Sequence, residues 1–229
     1  MGYQAIMVGA TGAVGGALFR ELVASPRCES VIALVRRPVD LGAAAKVRVE
    51  VVNLAGLEEA TARWAAAAGC DRAFCTMGVG HPSNVAFEEF WRVDVEYAGA
   101  FARGAAAGGV RHVSLLSALG ANLKSWVRYF RVKGAAEEAV TKAGLSRTSL
   151  FRPSLLVTKE IRYGLLDRFA QTVFPVIARL LPATSHQIRV EDLGRAFCLN
   201  AERPARASVE ILHYPEFAAL LTDRPEGMP

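Results

Sequence analysis

The sequence lacks a C-x-x-C pair, a run of five like charges, and any long apolar stretch free of glycine, proline or arginine. Each gap removes a class of function. Cys28, Cys70, Cys75 and Cys198 stand apart from one another and from any histidine at ligand spacing, so no metal site is expected. They read as reduced thiols of a cytoplasmic protein. The excess of 27 Lys and Arg over 22 Asp and Glu is scattered, without a basic stripe interleaved with aromatics; it suits a small anionic ligand and not nucleic acid. Residues 1–19 carry no charged side chain, yet Gly2, Gly9, Gly12, Gly15 and Gly16 break them up and no basic residue precedes them. Neither a signal peptide nor a membrane span fits, and a soluble protein with no membrane partner is expected. What is present is ordinary globular usage: 229 residues, 52% apolar and 21% charged, enough for a single domain with a real core.

Short β-branched runs alternate with Ala-rich stretches. Gln4 to Val8, Val31 to Val35, Val47 to Val52, Arg72 to Thr76, His112 to Leu116 and Arg147 to Leu150 read as strands. Ala13 to Ala24, Leu57 to Ala68, Phe87 to Ala106 and Ser125 to Lys142 read as helices. Strand, helix, strand in succession needs crossover connections, hence parallel pairing. The expected fold is α/β: a doubly wound, mostly parallel, Rossmann-like sheet with its ligand at the carboxyl ends of the strands. After Ser154 the pattern loosens, and residues 155–185 and 203–229 are expected to form a small C-terminal substrate cap.

The first strand runs into Gly9-Ala10-Thr11-Gly12-Ala13-Val14-Gly15 and then a helix. Glycines there let backbone N–H groups reach a diphosphate, and the helix N-terminus adds positive potential. Gly9, Thr11, Gly12, Ala13, Val14 and Gly15 are therefore candidate dinucleotide contacts. Past the second strand, Arg36-Arg37 stand where a carboxylate would receive the ribose of NAD, with no acid until Asp40. A guanidinium pair suits the 2'-phosphate of NADP(H). Asn53 and Leu54 are placed to meet the adenine, Thr76, Met77 and Gly78 the nicotinamide ribose, and the backbone of Arg152-Pro153-Ser154 the carboxamide.

Tyr129 and Lys133 are i, i+4 neighbours and share a helix face. A phenol ordinarily ionises near pH 10, too high for proton exchange at neutral pH. An ammonium about 4 Å away supplies roughly 4 kcal/mol at an effective dielectric of 20, equivalent to some three pKa units. Lys133 would also hold the nicotinamide ribose, and Ser117, ending the fifth strand, would hold the substrate oxygen for Tyr129. His112 reads as a surface or packing residue, while His81 and His186 lie nearer the expected crevice.

Gly9-x-x-Gly12-x-x-Gly15, Arg36-Arg37, Phe90-Trp91-Arg92-Val93-Asp94, Leu115-Leu116-Ser117, Tyr129-x-x-x-Lys133-Gly134 with Glu137, and Phe151-Arg152-Pro153 together resemble the short-chain dehydrogenase/reductases. Within that superfamily they look like the atypical oxidoreductase branch around the Tat-interacting protein, over residues 4–200. The resemblance implies NADP(H), a small-molecule carbonyl or alcohol substrate, Ser117, Tyr129 and Lys133 at the catalytic positions, and a homodimer paired through the helices at 87–106 and 125–142. Two positions depart from the pattern. Asp94 stands where many members carry a relay Asn and is read as an ordinary helix charge; Asn53 stands where an Asp is usual. Three functions are left open: a reductase or dehydrogenase, an NADP(H)-sensing regulator without turnover, and a nucleotide-sugar epimerase-like enzyme.

Overall fold

Ile6 and Val8 face one side of the first strand and Ala5 and Met7 the other, and all four are buried. A strand covered on both faces belongs inside a parallel sheet with helices on each side. The computed structural model describes residues 2–42, 44–79, 82–157 and 186–222. Among them β1 (Tyr3–Val8), β2 (Cys28–Val35), β3 (Val47–Val51), β4 (Arg72–Cys75), β5 (His112–Leu116) and β6 (Arg147–Phe151) pair in parallel. Two short strands, β7 (Leu156–Val157) and β8 (Ile188–Arg189), form a separate pair, and β9 (Val209–Leu212) returns to the main sheet. The order β3-β2-β1-β4-β5-β6-β9 reverses direction between β1 and β4, which opens the crevice there.

One face is covered by α2 (Leu57–Ala68), α4 (Tyr97–Ala107) and α5 (Arg128–Thr141), through Leu57, Phe101, Val132 and Val140. The other is covered by α1 (Ala13–Ala24), a helix at Val190–Ala201 (α6) and one at Tyr214–Thr222 (α7), through Leu18, Leu22, Leu193, Phe197 and Phe217. Gly194 permits the close approach of α6 to α1: a Cβ there would lie 2.6 Å from the Leu18 amide nitrogen.

Three expectations change. The helix expected over Phe87 to Ala106 is an α-turn, α3 (Phe87–Trp91), a π-helical stretch (Arg92–Glu96) and α4. The helix expected to open at Ser125 begins at Arg128, because the Ser125 hydroxyl accepts the Val127 N–H (3.1 Å) in a local turn. The chain after Arg203, expected in the cap, instead supplies β9 and α7. It is tied in by Arg147, which is buried and bonds Glu210 through both Nε (3.0 Å) and Nη2 (3.1 Å) and Asn200 at 3.1 Å. The expected cap segment at 158–185 lies outside the described residues, as do Gly80 and His81.

His112 belongs to the same buried network, 2.8 Å from the Ser149 hydroxyl, so it is a packing residue. Burial, then Arg147 and Arg72, hold its pKa well below the usual imidazole value. A lowered value means stability that is present above the unfolded-state pKa and lost as pH falls below about 6.5. Urea unfolding should show the midpoint dropping through that range, with a shallower drop in His112→Gln.

Candidate functional site

β1 delivers the chain to Gly9, whose φ of +90° is a left-handed conformation open to glycine. A Cβ there would also lie 2.6 Å from the Thr76 carbonyl carbon. Gly15, in the first turn of α1, could carry no Cβ without striking the Gly9 carbonyl oxygen. Gly12 differs: a Cβ would meet only that oxygen, at 3.4 Å, and Thr11 and Gly12 are exposed. Two glycines thus close helix on strand, and the third leaves the approach to the loop open. Gly12 caps α1 without a side-chain hydrogen bond, and the first turn carries no acid. These features fit the diphosphate of a dinucleotide: backbone donors, no competing carboxylate and no methyl in the way.

Arg36 and Arg37 follow β2, both exposed and without ion-pair partners among the described residues. The first acid, Asp40, accepts the Gly42 N–H (2.8 Å) in its own turn. Asn53 uses its side-chain oxygen to accept the Ala55 N–H (3.0 Å), which leaves its amide NH2 and half-buried Leu54 beside the carboxyl end of β3. Thr76 is buried and donates to the Val8 carbonyl (3.1 Å), pinning β4 to β1 across the switch point. Met77 is half-buried, and a Cβ on Gly78 would lie 3.2 Å from Asp94 Oδ1 and 3.5 Å from Lys133 Nζ.

Asp94 corrects the sequence expectation. The wider π turn carries it inward, where it is 3% exposed, bonds Lys133 Nζ at 2.6 Å through Oδ1, and accepts the Val79 N–H at 2.9 Å through Oδ2. It is a buried ion-pair partner and not a solvated helix charge. Burial opposes the charge on Lys133, but Asp94 outweighs it and holds the lysine pKa above its ordinary value. Tyr129, in the first turn of α5, is half-buried and stacked on Phe90 (6.1 Å between centroids, 13° between planes). Lys133 Nζ lies 5.9 Å from its ring centroid. The ammonium near the phenol is therefore neutralised by Asp94, and the expected bare cation is an ion pair. The Tyr129 hydroxyl has no hydrogen-bond partner among the described residues.

Ser117 follows β5, and its N–H donates to Phe151 O at 2.8 Å. It is buried, and its hydroxyl donates to Glu137 Oε1 at 2.5 Å. Arg152 clamps the same carboxylate through Nε (2.8 Å) and Nη2 (2.6 Å), and this hydrogen bonding raises the guanidinium pKa against partial burial. With both Glu137 oxygens accepting from Arg152, the hydrogen in the Ser117 contact comes from serine. Ser117, expected to hold a substrate oxygen, is left with lone pairs and no free hydrogen for that contact. Pro153 O accepts the Leu119 N–H (2.8 Å), and Ser154 donates to His186 O (2.6 Å), which ties the chain after β6 to the start of β8. The His186 ring packs edge-on against Tyr214.

Sequence reasoning missed the roles of Asp94 and Glu137. Both lie on the inward stripes of their helices: Phe90, Asp94, Ala98 and Phe101 on one, Val132, Lys133, Ala136, Glu137 and Val140 on the other. A charge on an apolar stripe asks for a buried partner. A separate pocket of about 440 Å³, lined by Glu29, Ser30, Lys46 and Arg48, lies at the opposite ends of β2 and β3, away from these residues. No group of metal-ligating residues occurs among the described residues, and none of their helices is long and apolar enough to cross a membrane.

A parallel sheet with a glycine-lined, uncapped helix start at its switch point is a dinucleotide-binding fold. The chain belongs to the NAD(P)H-binding family, whose model matches residues 9–179. It is 31% identical over 210 residues to the rat (Rattus norvegicus) protein HTATIP2, covering 90% of this chain and 84% of that one. It is 28% identical over 174 residues to the Candida albicans protein FMP52, mitochondrial, covering 73% of each. In structure it is similar to MoeE5 in complex with UDP-glucuronic acid and NAD (TM-score 0.70, 20% identity, 91% of this chain and 75% of that one). The oxidoreductase ylbE from Lactococcus lactis superposes with a TM-score of 0.67 at 16% identity, over 98% of this chain and all of that one. At such identities the structural likeness shows the fold alone.

Proposed function

We propose that the protein is an NADP(H)-dependent oxidoreductase of the short-chain dehydrogenase/reductase type, acting on a small carbonyl or alcohol compound. The observation that carries this reading is that the glycine cradle at Gly9 to Gly15, the buried Lys133–Asp94 pair and Tyr129, whose hydroxyl has no hydrogen-bond partner among the described residues, all lie at the carboxyl-end side of the central strands β1, β4 and β5. Backbone donors after Gly12 would hold the diphosphate, Arg36 and Arg37 the 2'-phosphate, and Asn53 and Leu54 the adenine. Thr76, Met77, Gly78 and Lys133 would flank the nicotinamide ribose, and the backbone of Arg152, Pro153 and Ser154 the carboxamide. A nicotinamide held there supplies or accepts hydride.

Tyr129 then gives its hydroxyl proton to the substrate oxygen in reduction, or takes one in oxidation. Lys133, fixed by Asp94, orients that exchange from beneath the ring. Ser117, its hydrogen spent on Glu137, offers lone pairs to a substrate hydroxyl and thereby positions it. The four cysteines, all unpaired and buried, suit a reducing compartment, with the cytoplasm the reading favoured here. A homodimer through α4 and α5 belongs to the same proposal.

A second reading, an NADP(H) sensor without turnover, draws on the same ties: Lys133 is engaged by Asp94 and Ser117 by Glu137. Following NADPH oxidation with a panel of aldehydes, ketones and quinones separates the two. Turnover supports the enzyme; tight NADPH binding with no turnover across the panel favours the sensor. Cofactor choice has its own test. Arg36→Ala with Arg37→Ala should weaken NADPH binding by roughly 10- to 100-fold, at 1.5–3 kcal/mol for a charge-assisted contact, and leave NADH binding unchanged. An unaltered preference for NADPH in a binding titration would remove both arginines from the site.

A further inference from the structure

We propose that the loop before α5 is a docking ridge for an anionic phospholipid surface, with Trp126 seated at headgroup level. Trp126 is 98% exposed, and Leu123 and Val127 beside it are 45% and 52% exposed. The late start of α5 at Arg128 produces this: Trp126 sits in the Ser125 turn with its ring outside the helix. The other two tryptophans are packed, Trp64 under the Arg48 guanidinium and Trp91 against Phe87.

Exposed cations adjoin the three apolar side chains along the loop and the first turn of α5. Lys124, Arg128 and Arg131 all lie at the surface, and none forms an ion pair among the described residues. Arg128 stands over the Phe87 ring at 5.6 Å, close to the exposed Glu88 and Glu89 of α3, yet pairs with neither. Arg131 donates to the Ser125 carbonyl at 3.2 Å, which stiffens the turn.

Exposed apolar side chains that include an indole, with Lys and Arg adjoining them, match a negatively charged bilayer interface, where tryptophan is favoured and each cation contributes about 1 kcal/mol. A second copy fits this loop less well, because a two-fold contact across it would bring like charges together; a homodimer through α4 and α5 is compatible with docking where its contact leaves Lys124, Trp126, Arg128 and Arg131 outside. Leu123 and Val127 also offer nothing to stacked bases, which weighs against single-stranded nucleic acid. Such docking requires no membrane-spanning helix and turns the start of α5, with Tyr129 in its first turn, toward the lipid. It is independent of whether the protein turns substrate over.

The test is co-sedimentation of the full chain with vesicles of phosphatidylcholine alone and of phosphatidylcholine mixed with phosphatidylserine, read together with tryptophan emission. Binding to the mixed vesicles only, a blue shift of emission, and release by salt are expected. Trp126→Ala should abolish the shift and weaken binding at least about tenfold, and Lys124→Ala or Arg128→Ala should each weaken it about fivefold. A residue so exposed contributes little to folding, so thermal midpoint and NADPH affinity should not move in Trp126→Ala. Any one of four results overturns the proposal: no sedimentation with mixed vesicles, equal binding to neutral ones, binding insensitive to Trp126→Ala, or an emission shift produced instead by self-association or by polyuridylate at lower concentration.

Discussion

Tyr129→Phe is expected to lower kcat/KM for NADPH-dependent carbonyl reduction by about 100- to 10,000-fold, the usual range for a positioned acid. The structure makes this an unusually clean substitution. The ring packs on Phe90 and edge-on against Phe130, contacts that phenylalanine preserves. The lost hydroxyl has no hydrogen-bond partner among the described residues, so nothing buried is orphaned and stability should change little. NADPH affinity should also hold, because the proposed cofactor contacts lie at the glycine loop and Arg36–Arg37. Steady-state kinetics alongside a binding titration checks all three at once. Turnover that survives the substitution would remove Tyr129 from the chemistry while leaving the cofactor site in place.

Asp94→Asn should cost about 3–5 kcal/mol of stability, the range for breaking a buried ion pair from one side. The side chains of Lys133 and Asp94 are 10% and 1% exposed, so solvent screens the pair little. The pH dependence should also change sign. In the wild type the raised lysine value means a contribution fully present at neutral pH and lost only as pH climbs through the folded-state value, above about 10.4. With the carboxylate gone, burial, the largest influence on Lys133, is opposed only by Tyr129 and Cys75, and the lysine pKa falls. The variant should then be least stable at low pH and recover toward alkaline pH, where Lys133 sheds its charge. Urea unfolding across pH reads this directly. Replacing both partners, Asp94→Leu with Lys133→Met, should recover much of the loss, as apolar substitutes for buried pairs often do. A variant that unfolds in parallel with the wild type across pH would mean the pair is solvated.

Much of this was legible in the sequence because the signals were local. Gly9, Gly12 and Gly15 sit between a continuous apolar strand and an amphipathic helix, and the strand buried on both faces reads the same way in one dimension as in three. The six strands from Tyr3 to Phe151 follow their β-branched runs to within a few residues. β9 was not legible, because Val209-Glu210-Ile211-Leu212 is short and its Val209 and Ile211 are exposed. Only the long-range pairing of Arg147 with Glu210 shows why it joins the sheet. The start of α5 depended on whether the Ser125 hydroxyl capped a helix or closed a turn, two uses of one side chain that the sequence does not separate. Asp94 and Glu137 lay on inward stripes, but their partners, Lys133 and the Ser117–Arg152 couple, are up to 39 residues away in sequence. Such pairings are set by packing between elements and not by local pattern.

The most direct test of the account is a crystal structure with NADP+ bound. The diphosphate is expected against the amides of Gly12 to Gly15, the 2'-phosphate between Arg36 and Arg37, and the nicotinamide ring between Gly78 and the Tyr129 hydroxyl. A nicotinamide directed away from Tyr129, or a diphosphate bound anywhere but the glycine loop, would contradict it.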